Sequence, residues 1–147
     1  MNREQRQNKE LTDRFPFLLP RNRFTDRIPD SYEYEYTELD MMPEGWRKAF
    51  GMQMVEELNE ILVKANCVKS YRINQIKEKW GGLRWYDNFA VPVFNDEYYR
   101  WQRKYTDLAE KTCFICGNPA TFKGDWNVPY CDDCLHGSRL RRNRKDD

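Results

Sequence analysis

Apolar residues recur at intervals of three and four in two long segments, a spacing that places them on one face of an α-helix. In the first segment they are Trp46, Phe50, Met54, Leu58, Ile61, Leu62 and Ala65. Pro43 and Glu44 suit a helix start, so the pattern predicts the main helix over residues 44–66. Gly51 inside this helix costs up to about 1 kcal/mol relative to alanine, which indicates close packing against a neighbour.

A second helix is predicted over residues 95–112. Asn95 can cap it, and Asp96 and Glu97 lie in its first turn, where negative charge favours the helix. Its stripe consists of Tyr98, Trp101, Tyr105, Leu108 and Thr112. We expect this stripe to pack in the core rather than to form a ligand cage.

Between the two helices, residues 71–86 form two runs on either side of Gly81 and Gly82, which suits a hairpin with a two-residue primed turn. In that register Trp80 faces Leu83. One face then carries Ile76, Trp80, Leu83 and Trp85 with Glu78, and the other carries Lys77, Lys79, Arg84 and Tyr86. The first face is predicted to be core. The second is either a solvated surface or a site for anions, where Tyr86 could stack on a base.

The N-terminal third is less regular. The polar residues 1–14 predict a helix with few apolar positions, and residues 15–20, which are apolar and contain two prolines, predict an extended strip on the core.

An acidic stretch follows, with six acids and no base from Asp30 to Glu44. Tyr32, Tyr34 and Tyr36 alternate with glutamates inside it, which predicts an edge strand with an aromatic and a carboxylate face. A basic partner, or pairing with the chain's own basic hairpin, is the alternative role for these acids.

Composition allows one domain of ordinary size, because 147 residues with 39% hydrophobic and 15% aromatic content can bury a core. No apolar run reaches the roughly 20 residues of a membrane helix, and the N-terminus lacks a signal sequence, so a secreted or membrane protein is disfavoured. The net charge of +1 predicts no partner, which leaves local patches. The densest patch is the C-terminal tail, either a disordered solubilising end or a contact for phosphates or an acidic partner; its bases are Arg139, Arg141, Arg142, Arg144 and Lys145.

Four of the five cysteines form the pattern C-x2-C-x14-C-x2-C: Cys113, Cys116, Cys131 and Cys134. This spacing is typical of a structural Zn²⁺ site in which two knuckles are joined by a hairpin, and Gly117 suits the positive φ of such a knuckle. Two disulfides are the alternative, but the odd cysteine total and the missing signal sequence favour a reducing compartment. His136 could replace one thiolate. A closed four-thiolate shell would leave no position for a catalytic water, and Cys67 is expected to be a small buried residue.

These patterns together predict an α+β fold, with two main helices on a small antiparallel sheet and a C-terminal zinc ribbon. The predicted parts are an N-terminal extension (1–28), an α+β core (29–112), the zinc ribbon (113–136) and a disordered basic tail (137–147).

Residues 16–25, 43–51 and 72–86, together with the paired cysteines, resemble a family of small uncharacterised bacteriophage and prophage proteins. The resemblance covers most of the chain but not the basic tail. It implies a phage-encoded protein that acts in the cytoplasm of a bacterial host. It carries no activity, and it raises a host enzyme, a defence complex or a signal molecule as candidate partners.

No catalytic motif stands out, and a single histidine excludes a multi-histidine centre, so the chain is not expected to be an enzyme. The leading hypothesis is a phage accessory protein with structural zinc that binds a host protein or nucleoprotein, in its narrower form as a counter-defence inhibitor. The alternatives are a sink for a small nucleotide signal, a zinc-ribbon nucleic-acid-binding protein, and a docking or oligomerisation module. In the nucleotide hypothesis Lys79 and Arg84 hold phosphate and Tyr86 or a tryptophan stacks on the base.

Overall fold

The computed structural model describes residues 1–135, so His136 and the tail arginines Arg139, Arg141 and Arg142 lie outside the described residues. The described part has the predicted α+β fold, in which helices pack on an antiparallel hairpin and a smaller hairpin carries the paired cysteines. The helices are α1 (Arg3–Arg14), α2 (Glu44–Trp46), α3 (Met52–Lys64) and α4 (Asp96–Glu110), and the strands are β1 (Ile73–Lys79), β2 (Gly82–Asp87), β3 (Phe122–Lys123) and β4 (Pro129–Tyr130). No helix within residues 1–135 is long and apolar enough to cross a membrane. The predicted division into four parts stays a prediction.

The main helix begins at Glu44 as predicted, but α2 and α3 are joined by a π-helical turn, Arg47–Gly51. The sequence offers a reason, because Trp46, Phe50, Met54 and Leu58 are each four residues apart. On an α-helix each such step moves the side chain about 40° around the axis, and a wider turn returns the stripe to one face. All four side chains are buried.

Helix α4 confirms its predicted cap, since the Asn95 side chain accepts a hydrogen bond of 3.0 Å from the backbone N–H of Tyr98. Tyr98, Trp101 and Tyr105 are buried as predicted, and the Trp101 indole donates to the Met54 carbonyl (2.9 Å) across the contact with α3. The C-terminal end of the buried stripe differs from the prediction, because Leu108 is 37% exposed and Ala109 is fully buried in its place. Ala109 lies four residues after Tyr105, so it continues the buried face that Leu108 leaves.

The hairpin turn differs from the prediction. Lys79 pairs with Gly82 and Ile76 with Trp85, so the two turn residues are Trp80 and Gly81, with φ of 56° and 82°. The predicted register, with Trp80 opposite Leu83, differs from this observed register by two positions. A shift of two residues keeps every paired side chain on its own face, so Ile76, Leu83 and Trp85 are buried as expected. Trp80 is the exception, because at the turn it is 56% exposed rather than in the core.

Residues 15–20 contribute to the core as predicted, but not in an extended conformation. Pro16–Leu18 form a 3-10 turn directly after α1, and Phe15, Phe17 and Leu18 are buried. Proline fixes the φ of the first position of this turn. Cys67 is also buried, as expected, and burial raises the pKa of its thiol.

The predicted tyrosine-rich edge strand does not form. Tyr34 adopts a positive φ of 64°, which breaks the alternation that a strand requires, and the Tyr32 ring lies 5.0 Å from that of Tyr34 and 5.5 Å from that of Tyr36. The three rings therefore pack on one another, and Asn8 of α1 donates to the Tyr34 carbonyl (2.8 Å). Within residues 1–135, no ion pair joins the acidic stretch to the basic hairpin; its paired acids, Asp40 and Glu44, bind Arg47 and Lys48.

Candidate metal centre and basic surface

The paired cysteines lie on a short ribbon that begins directly after α4. Strands β3 and β4 pair in antiparallel fashion, with Phe122 opposite Tyr130, so the predicted hairpin around Gly124 and Asp125 is confirmed in a shorter form. Gly117, after the first cysteine pair, has the predicted positive φ, 85°.

The four sulfur atoms converge as a metal site requires. All lie within 4.8 Å of one another, and the Sγ atoms of Cys116 and Cys131 are 3.6 Å apart. A tetrahedron with metal–sulfur bonds of about 2.3 Å places its sulfurs about 3.8 Å apart, so the cluster has the dimensions of a four-thiolate site. A disulfide would need about 2.05 Å, and all five cysteines are free thiols, so the disulfide alternative does not fit.

The surrounding polypeptide favours the ionised thiolate at Cys113 and disfavours it at Cys134. Burial raises the pKa of Cys113, but backbone N–H groups of Cys116, Cys131 and Ile115 donate to its sulfur and lower its pKa to about 7. Burial and hydrogen bonds with the neighbouring thiols raise the pKa of Cys134 well above its usual range. Four sulfurs this close cannot all be ionised without a cation between them, and a metal ion bound there would supply that charge.

The ribbon is docked on the start of the main helix through two glycines. The Gly45 N–H donates to the Phe114 carbonyl (3.0 Å), and a Cβ on Gly45 would lie 2.6 Å from the Phe114 carbonyl carbon. A Cβ on Gly117 would lie 2.6 Å from the Gly45 carbonyl oxygen. The neighbouring Trp46 indole donates to the Thr112 carbonyl (3.0 Å) in the buried interface. The close approach of two backbones explains why glycine occupies both positions.

The ribbon also contacts the tip of the β1–β2 hairpin. A Cβ on Gly81 would lie 2.5 Å from the carbonyl carbon of Asn127, so this turn approaches the ribbon backbone as closely as glycine allows. Beside this contact the exposed rings of Trp80 and Trp126 are 4.9 Å apart. Two turns that are distant in sequence therefore form one surface.

The predicted basic face lies beside these two turns. Lys77 pairs with Arg84 across the strands and its Nζ lies 5.7 Å from the centre of the Tyr86 ring. Lys79 and Arg84 are exposed, as is Tyr86 at 44%.

A cleft of about 290 Å³ between the hairpin, α4 and the ribbon is lined by three cations, Lys79, Arg84 and Lys123. Glu110 also lines it, and Lys123 donates to the Glu110 carbonyl (2.6 Å). We call the three cations, with Trp80 and Trp126, the basic cleft. Lys123, Trp80 and Trp126 were not among the predicted site residues. The contact between the hairpin turn and the ribbon turn joins segments that are distant in sequence, so the sequence does not show it. The only available signal was the position of Trp126 directly after Gly124 and Asp125.

Comparisons with protein-family models, with curated proteins and with solved structures find no match for the chain.

Proposed function

We propose that the protein is a non-enzymatic nucleic-acid-binding protein, in which a structural zinc ion fixes the ribbon and the basic cleft contacts a single strand. The contact between the hairpin tip and the ribbon tip carries this proposal, because it combines three cations with two exposed indole rings. Cations that follow a phosphate backbone and aromatic rings that stack on bases are the usual components of single-strand binding.

Zinc is the metal that best fits the four cysteines. Tetrahedral coordination by four thiolates is typical of structural zinc, whose binding free energy becomes folding free energy. Four protein ligands leave no open position for water or substrate, which supports a structural rather than a catalytic role.

The biological setting follows from the resemblance to phage proteins. In that setting the strand belongs to a nucleic acid or nucleoprotein of the bacterial host, and inhibition of a host defence complex is a narrower form of the same proposal. A protein partner on this surface would also use the exposed tryptophans, but lysine is depleted at protein interfaces, whereas three cations around one cleft suit a phosphate backbone.

The test is a titration of a fluorescent single-stranded oligonucleotide with the zinc-loaded full chain at several salt concentrations. The affinity of the wild type should fall as salt rises. Replacing Lys79, Arg84 and Lys123 together by alanine should make the slope of log K against log salt shallower by about 2, because each phosphate contact to a single strand contributes about 0.7. The matched control replaces three exposed bases elsewhere, Arg3, Lys69 and Arg100, and should leave the slope unchanged. Equal slopes for the two triple variants, or binding that does not depend on salt, would contradict the proposal.

The stacking component is tested separately with Trp80→Asn and Trp126→Asn. Both positions have positive φ, 56° and 60°, which asparagine tolerates. Each change should weaken binding by about tenfold or more, the value of one stacked base. Phe24→Ala removes a ring that is even more exposed, at 91%, and does not line the cleft, so it should have no effect. Unchanged affinity in both tryptophan variants would exclude stacking.

A further inference from the structure

A second candidate site lies at the opposite, open end of the β1–β2 hairpin. An open cavity of about 570 Å³ lies there between β2, α4 and the loop that follows β2. Its volume is typical of small-molecule sites. Most of its wall is aromatic or aliphatic: Trp85, Tyr86, Phe89, Val91, Val93, Tyr98 and Tyr99. This end of the hairpin is about 20 Å from the Trp80 turn, as six residues of extended chain require.

The loop at the mouth of this cavity exposes apolar side chains at a cost. Phe89 is 91% exposed with a φ of 59°, and Val93 is 82% exposed. A bulky residue in the left-handed region is strained, and large apolar side chains in water are favourable only if something covers them. The strain is held by a hydrogen bond from the Phe89 N–H to the Asp87 carboxylate (2.9 Å).

The floor of the cavity has a fixed polar edge. The Tyr98 hydroxyl donates to Asp87, and the Gln102 amide donates to the Tyr98 hydroxyl (3.2 Å). A carboxylate has about four acceptor positions, so Asp87 can accept a further hydrogen bond from a ligand that enters the cavity. An aromatic ring with an amino group would meet both the apolar wall and this acceptor.

A neighbouring cavity of about 420 Å³ supplies positive charge. Arg23 and Asn74 line both cavities, and Arg21 and Arg72 line the second. Arg72 is held by Asp26 (2.7 Å), whereas Arg23 makes no hydrogen bond or ion pair with any residue in the described part of the chain. A guanidinium without a partner at the junction of the two cavities is placed to bind an anion there.

We infer that the two cavities form one binding site for a nucleoside monophosphate. The base lies in the apolar cavity with its amino edge toward Asp87, and the phosphate meets Arg23 at the junction. Asp26 and Glu38 are the acids of the second cavity. Asp26 is already paired with Arg72, so it does not neutralise Arg23. The site uses none of the residues of the basic cleft.

Isothermal titration of the zinc-loaded full chain with adenosine monophosphate, adenosine and inorganic phosphate tests this inference. The monophosphate should bind at least about tenfold more tightly than adenosine, because one charge-assisted contact to Arg23 contributes that much, and inorganic phosphate should bind more weakly than either. Arg23→Ala should reduce the affinity for the monophosphate to that for adenosine. Arg27→Ala, an exposed arginine of the same loop that lines neither cavity, should change nothing.

Phe89→Asn, which keeps the positive φ, should weaken both nucleoside ligands. The triple alanine variant of Lys79, Arg84 and Lys123 should bind the monophosphate as the wild type does, so failure of the basic cleft and failure of this site are separate results. No binding of the monophosphate at millimolar concentration, or equal binding by wild type and Arg23→Ala, would overturn the inference.

Discussion

Replacing Gly45 by alanine is expected to destabilise the protein, although the same change stabilises most helices. In an ordinary helix alanine is favoured over glycine by up to about 1 kcal/mol. Here the new Cβ would lie 2.6 Å from the backbone of Phe114, and no side-chain rotation can relieve a clash with backbone.

The expected loss follows from two contributions. Overpacking of a close interface costs about 1–3 kcal/mol, and separation of the ribbon from the helix removes the Gly45–Phe114 hydrogen bond, which contributes about 1 kcal/mol. Against the gain in helix propensity, the free energy of unfolding should fall by about 2 kcal/mol.

Gly51→Ala is the matched control, since Gly51 lies in the same helix. Its Cβ would lie 3.2 Å from Cγ of Arg47, an atom of a flexible side chain, and 3.7 Å from Leu39. We expect a change between zero and a gain of about 1 kcal/mol.

Urea denaturation of the zinc-loaded variants, followed by circular dichroism, measures both changes. Faster release of zinc to a chelator should accompany the loss in Gly45→Ala. If Gly45→Ala is as stable as Gly51→Ala, the backbones of Gly45 and Phe114 do not approach closely and the ribbon is not docked on α2.

Three further changes test separate parts of the molecule. Cys113→Ser should abolish stoichiometric zinc binding and unfold residues 113–135, seen as loss of amide-exchange protection there, while protection in α3 remains. Trp46→Phe should cost about 2–4 kcal/mol in urea denaturation, because it leaves a cavity and an unpaired Thr112 carbonyl; a loss below 1 kcal/mol would contradict the buried contact. Burial raises the pKa of Glu38 from 4.5 to about 7, so the folded chain holds a proton there that the unfolded chain has released, and stability should fall as pH rises from about 4.5 to 7. Glu38→Gln should flatten this fall and be more stable at pH 8 by about 1 kcal/mol, after allowance for the water that reaches the carboxyl; an unchanged pH profile of unfolding would refute it.

The features that the sequence predicted well are those that depend on near neighbours. Asn95 caps α4 through a residue three positions away, and the two C-x2-C knuckles need only local backbone geometry. The faces of the hairpin were also predictable, because the alternation of side chains survives a shift of two positions.

The features that were missed depend on contacts between distant segments. Trp80 rather than Gly82 joins Gly81 in the turn, where the Asn127 backbone packs against Gly81, and Trp80 is consequently exposed. The tyrosine alternation in residues 32–36 has the period of a strand, but no strand within residues 1–135 pairs with it to supply hydrogen bonds. Arg23 carried no signal at all, since the two cavities that it joins are formed by three separate parts of the chain.

The proposed function rests on a closed four-thiolate zinc centre, built on the four-cysteine cluster, that holds the ribbon in place and thereby forms the basic cleft. X-ray absorption at the zinc edge, combined with elemental analysis of the purified full chain, tests this centre most directly. We expect one zinc ion per chain with four sulfur neighbours at about 2.3 Å and no nitrogen or oxygen neighbour. A nitrogen neighbour at about 2.0–2.1 Å would mean that His136 takes the place of one cysteine as a ligand, which contradicts the four-thiolate centre. A protein without stoichiometric zinc would contradict the metal-held ribbon altogether.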